Sequence, residues 1–234
     1  MSKIYINKVV EIAKREVGYH EKKTNYDLDD KLSNAGSGNW TKYARDLWEA
    51  SPRYYQSPKN GYDWCTIFVD WCIYQASGLE SSHAQEIKYY TGPYGAGCKF
   101  AANYYKQAGA WYAVPKVGDQ IFFGEGDSYK HTGLVVAVDE NYVYTVEGNA
   151  DNQVKERTYT LANKSILGYG RPKYDGDIEP NMPFVDVKEG AWYYDALLSL
   201  YSRGIVSGTD ATHASPNKSA TRAEVWQMIY NLLK

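Results

Sequence analysis

The run Tyr62-Asp63-Trp64-Cys65-Thr66-Ile67-Phe68-Val69-Asp70-Trp71 places a thiol where a helical pattern begins. Ile67, Phe68, Trp71, Cys72 and Gln75 recur along one side of that pattern, and Gly78 ends it. With Asp63 as the cap, Cys65 falls in the first turn, where free backbone N–H groups and the helix dipole favour a thiolate. The same N–H groups suit the oxyanion formed when a thiolate attacks an amide carbonyl. A cysteine in a helix is more often a small buried residue, so the imidazoles and carboxylates elsewhere decide its role.

Upstream, Ile6, Val9, Val10, Ala13 and Val17 predict a helix closed by Gly18, and Trp40, Tyr43 and Leu47 predict a second over 40–50. A polar stretch rich in Asp, Ser and Gly separates them. Downstream, a loop containing Gly92-Pro93 and Gly95 leads to a short helix over 99–107. After Pro115 the period becomes two. Residues 118–123, 131–138 and 141–147 predict three strands, with Asp139-Glu140-Asn141 as a turn, and weaker strands follow at 154–160 and 166–170. Helices first and an antiparallel meander second make an α+β domain over residues 1–174. Residues 175–183 read as a linker to a small all-α segment, 184–234. There, Tyr193, Leu197, Leu200 and Tyr201 predict one helix, and Val225, Met228, Ile229 and Leu232 another. Thr221 and Glu224 form a capping box at the start of the latter.

Four histidines are present, His20, His83, His131 and His213. His20 and His83 fall in polar loops and His213 lies beyond the linker, which leaves His131 as the one on a regular core element. A turn near residues 139–141 sets His131 opposite Glu147 or Asn149, and residues two apart share a strand face. One of these side chains can hold the ring tautomer while the other ring nitrogen takes the thiol proton. Thiol, imidazole and carboxylate together are the parts of a cysteine hydrolase. The chain has no CxxC, HxxxH or HExxH, and Asp27, Asp29 and Asp30 do not fit a calcium loop, so neither metal nor cofactor is expected.

Net charge −2 and pI near 6.1 give no reason to expect nucleic acid or an anionic membrane as partner. Residues through 175 carry 21 basic and 21 acidic side chains, so the slight acidity lies wholly in the C-terminal part. Twenty-four tyrosines and seven tryptophans suit either sugar faces or simple packing. Three cysteines, Cys65, Cys72 and Cys98, make a poor disulfide framework, although spacing allows a Cys72–Cys98 bridge. No membrane span is expected. The N-terminus lacks the apolar core of a signal peptide, which fits either release by another route or a trimmed sequence.

Taken in order, the Cys65 run, Gly118-Asp119-Gln120-Ile121-Phe122-Phe123, His131-Thr132-Gly133-Leu134-Val135 and Glu147-Gly148-Asn149 resemble the CHAP family. These are cysteine, histidine-dependent amidohydrolases and peptidases, related in fold to the NlpC/P60 and papain-like enzymes. The likeness is strongest to the catalytic domains of phage and prophage endolysins. The resemblance implies Cys65 as nucleophile, His131 as general base and then acid, Glu147 as orienter and Asn149 as an auxiliary polar group. Some members bind calcium through aspartates ahead of the cysteine; here that segment reads Lys59-Asn60-Gly61-Tyr62-Asp63, with too few carboxylates.

Phe184-Val185-Asp186-Val187, Trp192, Gly204-Ile205-Val206-Ser207-Gly208 and Thr221-Arg222-Ala223-Glu224 resemble one S-layer homology repeat, a module that anchors proteins to bacterial wall polysaccharide. Ala214 departs from the pattern, as does the single copy, since these repeats come in threes. About 50 residues seldom bury enough surface to stand alone, so the repeat is expected to trimerise between chains, dock on its own catalytic domain, or fold weakly. Trp192 and Arg222 are the candidate sugar contacts, with Trp192 equally suited to stapling a helix. The two resemblances together imply a peptidoglycan hydrolase at the cell wall. An N-acetylmuramoyl-L-alanine amidase is favoured over an endopeptidase of the stem or cross-bridge. A non-catalytic wall-binding protein and a cysteine peptidase acting on proteins are the rivals from other classes.

Overall fold

The computed structural model describes residues 3–51, 53–91, 95–177, 183–188, 190–202 and 204–233, in two compact units spanning 1–178 and 179–234. Gly92-Pro93 and most of the expected linker, residues 178–182, lie outside the described residues.

In the first unit, α1 (Ile6–Arg15), α2 (Lys42–Glu49), α3 (Cys65–Ala76) and α5 (Cys98–Gln107) form close to where the apolar spacing puts them. Thr41 caps α2 by accepting from the Ala44 N–H at 3.2 Å, and Gly18 follows α1 at φ +86°. One further helix, α4 (Ser81–Ile87), went unread. Seven residues are too few to show a period. His83 therefore sits on a helix rather than in a loop, with its Nε2 3.5 Å from Asp175 Oδ2.

The strands are β1 (Trp111–Tyr112), β2 (Gln120–Glu125), β3 (Ser128–Val138), β4 (Tyr142–Glu147), β5 (Lys155–Thr160) and β6 (Ile166–Gly170). They pair antiparallel in the order β1-β6-β2-β3-β4-β5. The meander expected of all five longer strands stops at β5, and β6 returns to the far side of β2. Lys155, Glu156 and Arg157 make β5 a charged edge that discourages further pairing. Residues 175–177, expected in the linker, run beside residues 4–7, where Ile6 and Asn7 donate to the carbonyls of Gly176 and Asp177.

α3 is the centre of this unit. Eleven of its twelve residues are buried, against the other helices on one side and the sheet on the other. Tyr43 lies 4.9 to 5.5 Å, centroid to centroid, from Trp64, Phe68 and Trp71. Much of the tyrosine excess is thus core packing. Asp70 on α3 is fully buried yet fully partnered: it accepts from Lys88 Nζ, from the Tyr55 hydroxyl and, at 2.6 Å, from the Tyr90 hydroxyl. This ion pair fastens the end of α4 to α3. Burial holds the Lys88 ammonium below the usual lysine range.

The second unit contains α6 (Tyr194–Ser202) and α7 (Arg222–Leu232) around a small core of Phe184, Val187, Leu198 and Ile205. Asp186 organises the turn before α7 by accepting from the Ala214 and Ser215 N–H groups at 2.9 and 2.8 Å. The capping box of Thr221 and Glu224 is made in full. No residue of α7 is buried, and Val225, Trp226, Ile229, Tyr230 and Leu232 are exposed. Among the described residues, no helix is long and apolar enough to cross a membrane.

Candidate active site

Cys65 is the first helical residue of α3, and the N-cap is Trp64, not Asp63. The Trp64 carbonyl already accepts the first helical bond, from the Phe68 N–H at 2.9 Å, and no side chain caps the helix. No side chain therefore competes for the first-turn N–H groups, although Thr66 and Ile67 are themselves buried and the Thr66 N–H faces the Cys65 sulfur. Trp64 is itself fully buried, and its indole N–H donates to Glu21 Oε2 at 2.7 Å, which pins the start of the helix to the polar stretch before α2.

The thiol has a neighbour that spacing did not reveal. Cys65 Sγ lies 3.5 Å from the Sγ of Cys98, the first residue of α5. The Thr66 hydroxyl also donates to Cys98 Sγ, at 3.6 Å. All three cysteines are free thiols. Cys98 thus faces Cys65 rather than Cys72, which is sealed in the core. Acceptance from Cys65, then from Thr66, together with the charge of His131, brings Cys98 down to about 7. Donation to Cys98, reinforced by burial, pushes Cys65 up. Either sulfur can carry the shared proton.

On β3, His131 Nε2 lies 2.9 Å from Glu147 Oε2. Glu147 is 1% exposed and also accepts from the Thr145 hydroxyl at 2.6 Å and the Tyr159 hydroxyl at 3.3 Å. The hairpin register, Leu134↔Val146, continues to set Gly133 across from Glu147. A Cβ on Gly133 would come within 2.5 Å of Glu147 Cγ, so this glycine lets the carboxylate lean across to the imidazole. Phe123 stacks on the ring at a centroid distance of 6.0 Å. With Nε2 committed to Glu147, Nδ1 is the nitrogen left to exchange a proton.

Glu147-Gly148-Asn149 joins the two clusters. A Cβ on Gly148 would meet Phe68 Cβ at 2.4 Å and Trp64 Cζ3 at 2.8 Å, so only glycine lets this turn press on the start of α3. Asn149, at φ +56°, donates its amide to Asp63 Oδ1 at 3.3 Å rather than to the imidazole. His131, Glu147, Asn149, Asp151, Arg157 and Tyr159 line a cavity of about 480 Å³. No hydrogen bond among the described residues joins His131 to either thiol; its charge reaches Cys98 through space. A larger cavity of about 1210 Å³, beside α1 and residues 171–177, holds none of these residues.

Thr145 and Tyr159 were legible in principle, since alternation along β4 and the Val143↔Tyr159 pairing put both on the Glu147 face. The segment ahead of Cys65 does not suit a cation: Asn60 Oδ1 is taken by the Thr41 N–H, Lys59 Nζ donates to Ser57, and Asp63 is its one carboxylate. In the acidic turn, Asp29 pairs with Arg45 and Asp30 accepts from the Leu32 and Ser33 N–H groups. Trp192 is 93% exposed and meets the Tyr193 ring edge-on, while the Arg222 guanidinium lies 5.4 Å from the Trp226 ring.

Helices packed on an antiparallel sheet, with a thiol at a helix start and a carboxylate-bound histidine on a strand, define a papain-like α+β domain. More narrowly, the chain carries a CHAP domain, matched over residues 57–149, and an S-layer homology domain, matched over 183–225. It is 42% identical over 53 residues to the surface-layer 125 kDa protein of Lysinibacillus sphaericus, covering 23% of this chain and 4% of that protein. It is 33% identical over 90 residues to endo-1,4-beta-xylanase A of Thermoanaerobacterium saccharolyticum, covering 36% of this chain and 7% of that one. Each match therefore spans only a small part of the relative. Among solved structures, the crystal structure of Ly7917 is similar at 15% identity and a TM-score of 0.42, over 72% of this chain and 62% of that one.

Proposed function

We propose that the chain is a peptidoglycan hydrolase that cuts an amide bond of the bacterial wall through Cys65, with His131 and Glu147 as its partners. One observation carries this reading: a buried carboxylate holds the imidazole by Nε2 on the strand that packs against the helix Cys65 begins. In the cycle, His131 takes the Cys65 proton at Nδ1, the resulting thiolate attacks the carbonyl carbon and the first-turn N–H groups of α3 receive the oxyanion. His131 gives a proton from Nδ1 to the leaving amine, leaving a thioester on Cys65. It then takes a proton from water, whose oxygen attacks the thioester and frees the acid. Glu147 stabilises the imidazolium and fixes its tautomer, and Asn149 braces the turn against Asp63.

The bond we favour is N-acetylmuramoyl–L-alanine, in an endolysin-like role; a stem or cross-bridge endopeptidase would use the same residues. The S-layer homology domain holds the enzyme on wall polysaccharide, with Trp192 and Arg222 as its contacts. Its exposed α7 face is completed by two further copies in a trimer. Digestion of purified peptidoglycan by wild-type and Cys65→Ala protein, with fragments identified by mass spectrometry, tests the reading. New amino groups on intact stems mean amidase, and split stems mean endopeptidase. Equal, null digests on several wall chemotypes would reject hydrolysis. For assembly, light scattering should show a trimer that becomes a monomer when residues 179–234 are removed; a monomer in both cases rejects it.

A further inference from the structure

We infer that Cys65 and Cys98 form a reversible disulfide, which makes this thiol pair an oxidative modification site that closes the proposed nucleophile. The inference rests on the reading of Cys65 as nucleophile for its consequence, but not for its chemistry. Two thiols whose positions are 33 residues apart in sequence meet at 3.5 Å, each as the first residue of its own helix. A disulfide requires about 2.05 Å between sulfurs, so roughly 1.5 Å of closure is needed, within reach of small side-chain and helix-end adjustments. The helices α3 and α5 hold the pair together, and the third thiol, Cys72, is fully buried elsewhere in the core. Cys65 and Cys98 are 6% and 9% exposed whereas Cys72 is fully enclosed, so the pair lies nearer the surface than the third thiol.

Cys98 has no part in the cycle above, yet its surroundings suit a first attack. It accepts from Thr66 and from Cys65, and it ionises near 7. The oxidant is a peroxide. The Cys98 thiolate attacks one peroxide oxygen, the O–O bond breaks, and a sulfenic acid and hydroxide result. The Cys65 sulfur then attacks the sulfenic sulfur and expels its hydroxyl, while the Cys65 proton leaves as water. In sum, two thiols and one hydrogen peroxide give one disulfide and two waters, and a dithiol reductant reverses the change.

The test uses the full chain, hydrogen peroxide as oxidant, and a thiol-specific mass tag added after acid quench. Before oxidation three thiols take the tag; afterwards one, Cys72, should remain, and peptide mapping should find Cys65 linked to Cys98. Peptidoglycan digestion should fall to background and return fully with dithiothreitol. Cys98→Ser and Cys98→Ala should give no linked peptide, and with no partner thiol Cys65 should be carried by a second peroxide past the sulfenic acid to a sulfinic acid, a loss that dithiothreitol does not repair. Cys65 and Cys98 both still tagged after peroxide, or Cys98 linked to Cys72, would overturn the inference. If the linked peptide forms but unoxidised protein digests no wall, the pair stands and the nucleophile reading fails. If Cys65→Ala abolishes digestion but oxidised wild-type protein gives no linked peptide, the reverse holds.

Discussion

α3 and α7 have nearly the same length, 12 and 11 residues, and are held by opposite means. α3 buries all but one residue and has no side-chain cap; α7 buries none and has a complete capping box. Tertiary packing stabilises α3 without a side-chain cap, which leaves its N-terminal N–H groups to the oxyanion role proposed for them beside Cys65. α7 has local bonds between Thr221 and Glu224 and is tied to the rest of its unit by Asn231, which donates to the Gly204 and Ile205 carbonyls, while its apolar side chains stay exposed. A helix held by the core dispenses with a cap, and an exposed helix depends on one.

The sharpest way to break this contrast is at the open end of α3. Cys65→Ala should abolish wall digestion, and His131→Ala should lower kcat by roughly 10²- to 10⁴-fold, measured as release of soluble wall fragments. Glu147→Gln should cost roughly 10²-fold or more, because an amide cannot stabilise the imidazolium. Tyr159→Phe, which removes one 3.3 Å bond to Glu147, should cost less than about tenfold.

Support from the core is tested at Lys88. Lys88→Ala leaves Asp70 charged, fully buried and short of its ion pair, and should destabilise the first unit by about 3–5 kcal/mol in urea unfolding. Asp70→Asn with Lys88→Met, which leaves no charge buried, should cost clearly less. If Lys88→Ala unfolds no more easily than wild type, α3 is not held from beneath.

The thiol pair has a pH signature. With Cys98 at about 7, alkylation of the pair should rise as pH increases through 7, rather than near the ordinary thiol value of about 8.5. In Cys98→Ala the largest cause raising Cys65 is gone, so the ionisation of Cys65 itself should move down. The smallest effect is expected at α7, where Thr221→Ala removes the cap. It should cost about 1 kcal/mol, read as faster amide exchange in α7 with no change in the first unit.

What the amino-acid order revealed follows the range of the interactions. The bond between His131 and Glu147 was readable because a two-stranded hairpin is local and its side chains alternate strictly, although the pair meets diagonally across Gly133. The capping box of α7 was readable for the same reason. The contact between Cys65 and Cys98 was not, since it depends on how two helices pack and neither residue carries a spacing signal. Nor was the return of β6 to β2, which is decided by which sheet edge remains available. Asp63 shows an intermediate case: its place before the helix suggested a cap, but Trp64 took that position and left the Asp63 carboxylate to Asn149.

The most direct test looks for the acyl group itself. During turnover on solubilised peptidoglycan, rapid acid quench followed by peptide mapping should find the peptide containing Cys65 heavier by the acyl part of the cleaved bond. No such adduct should form in Cys65→Ala or without substrate. Wall fragments released at an undiminished rate by Cys65→Ala, with no adduct on Cys65 in the wild type, would contradict the mechanism.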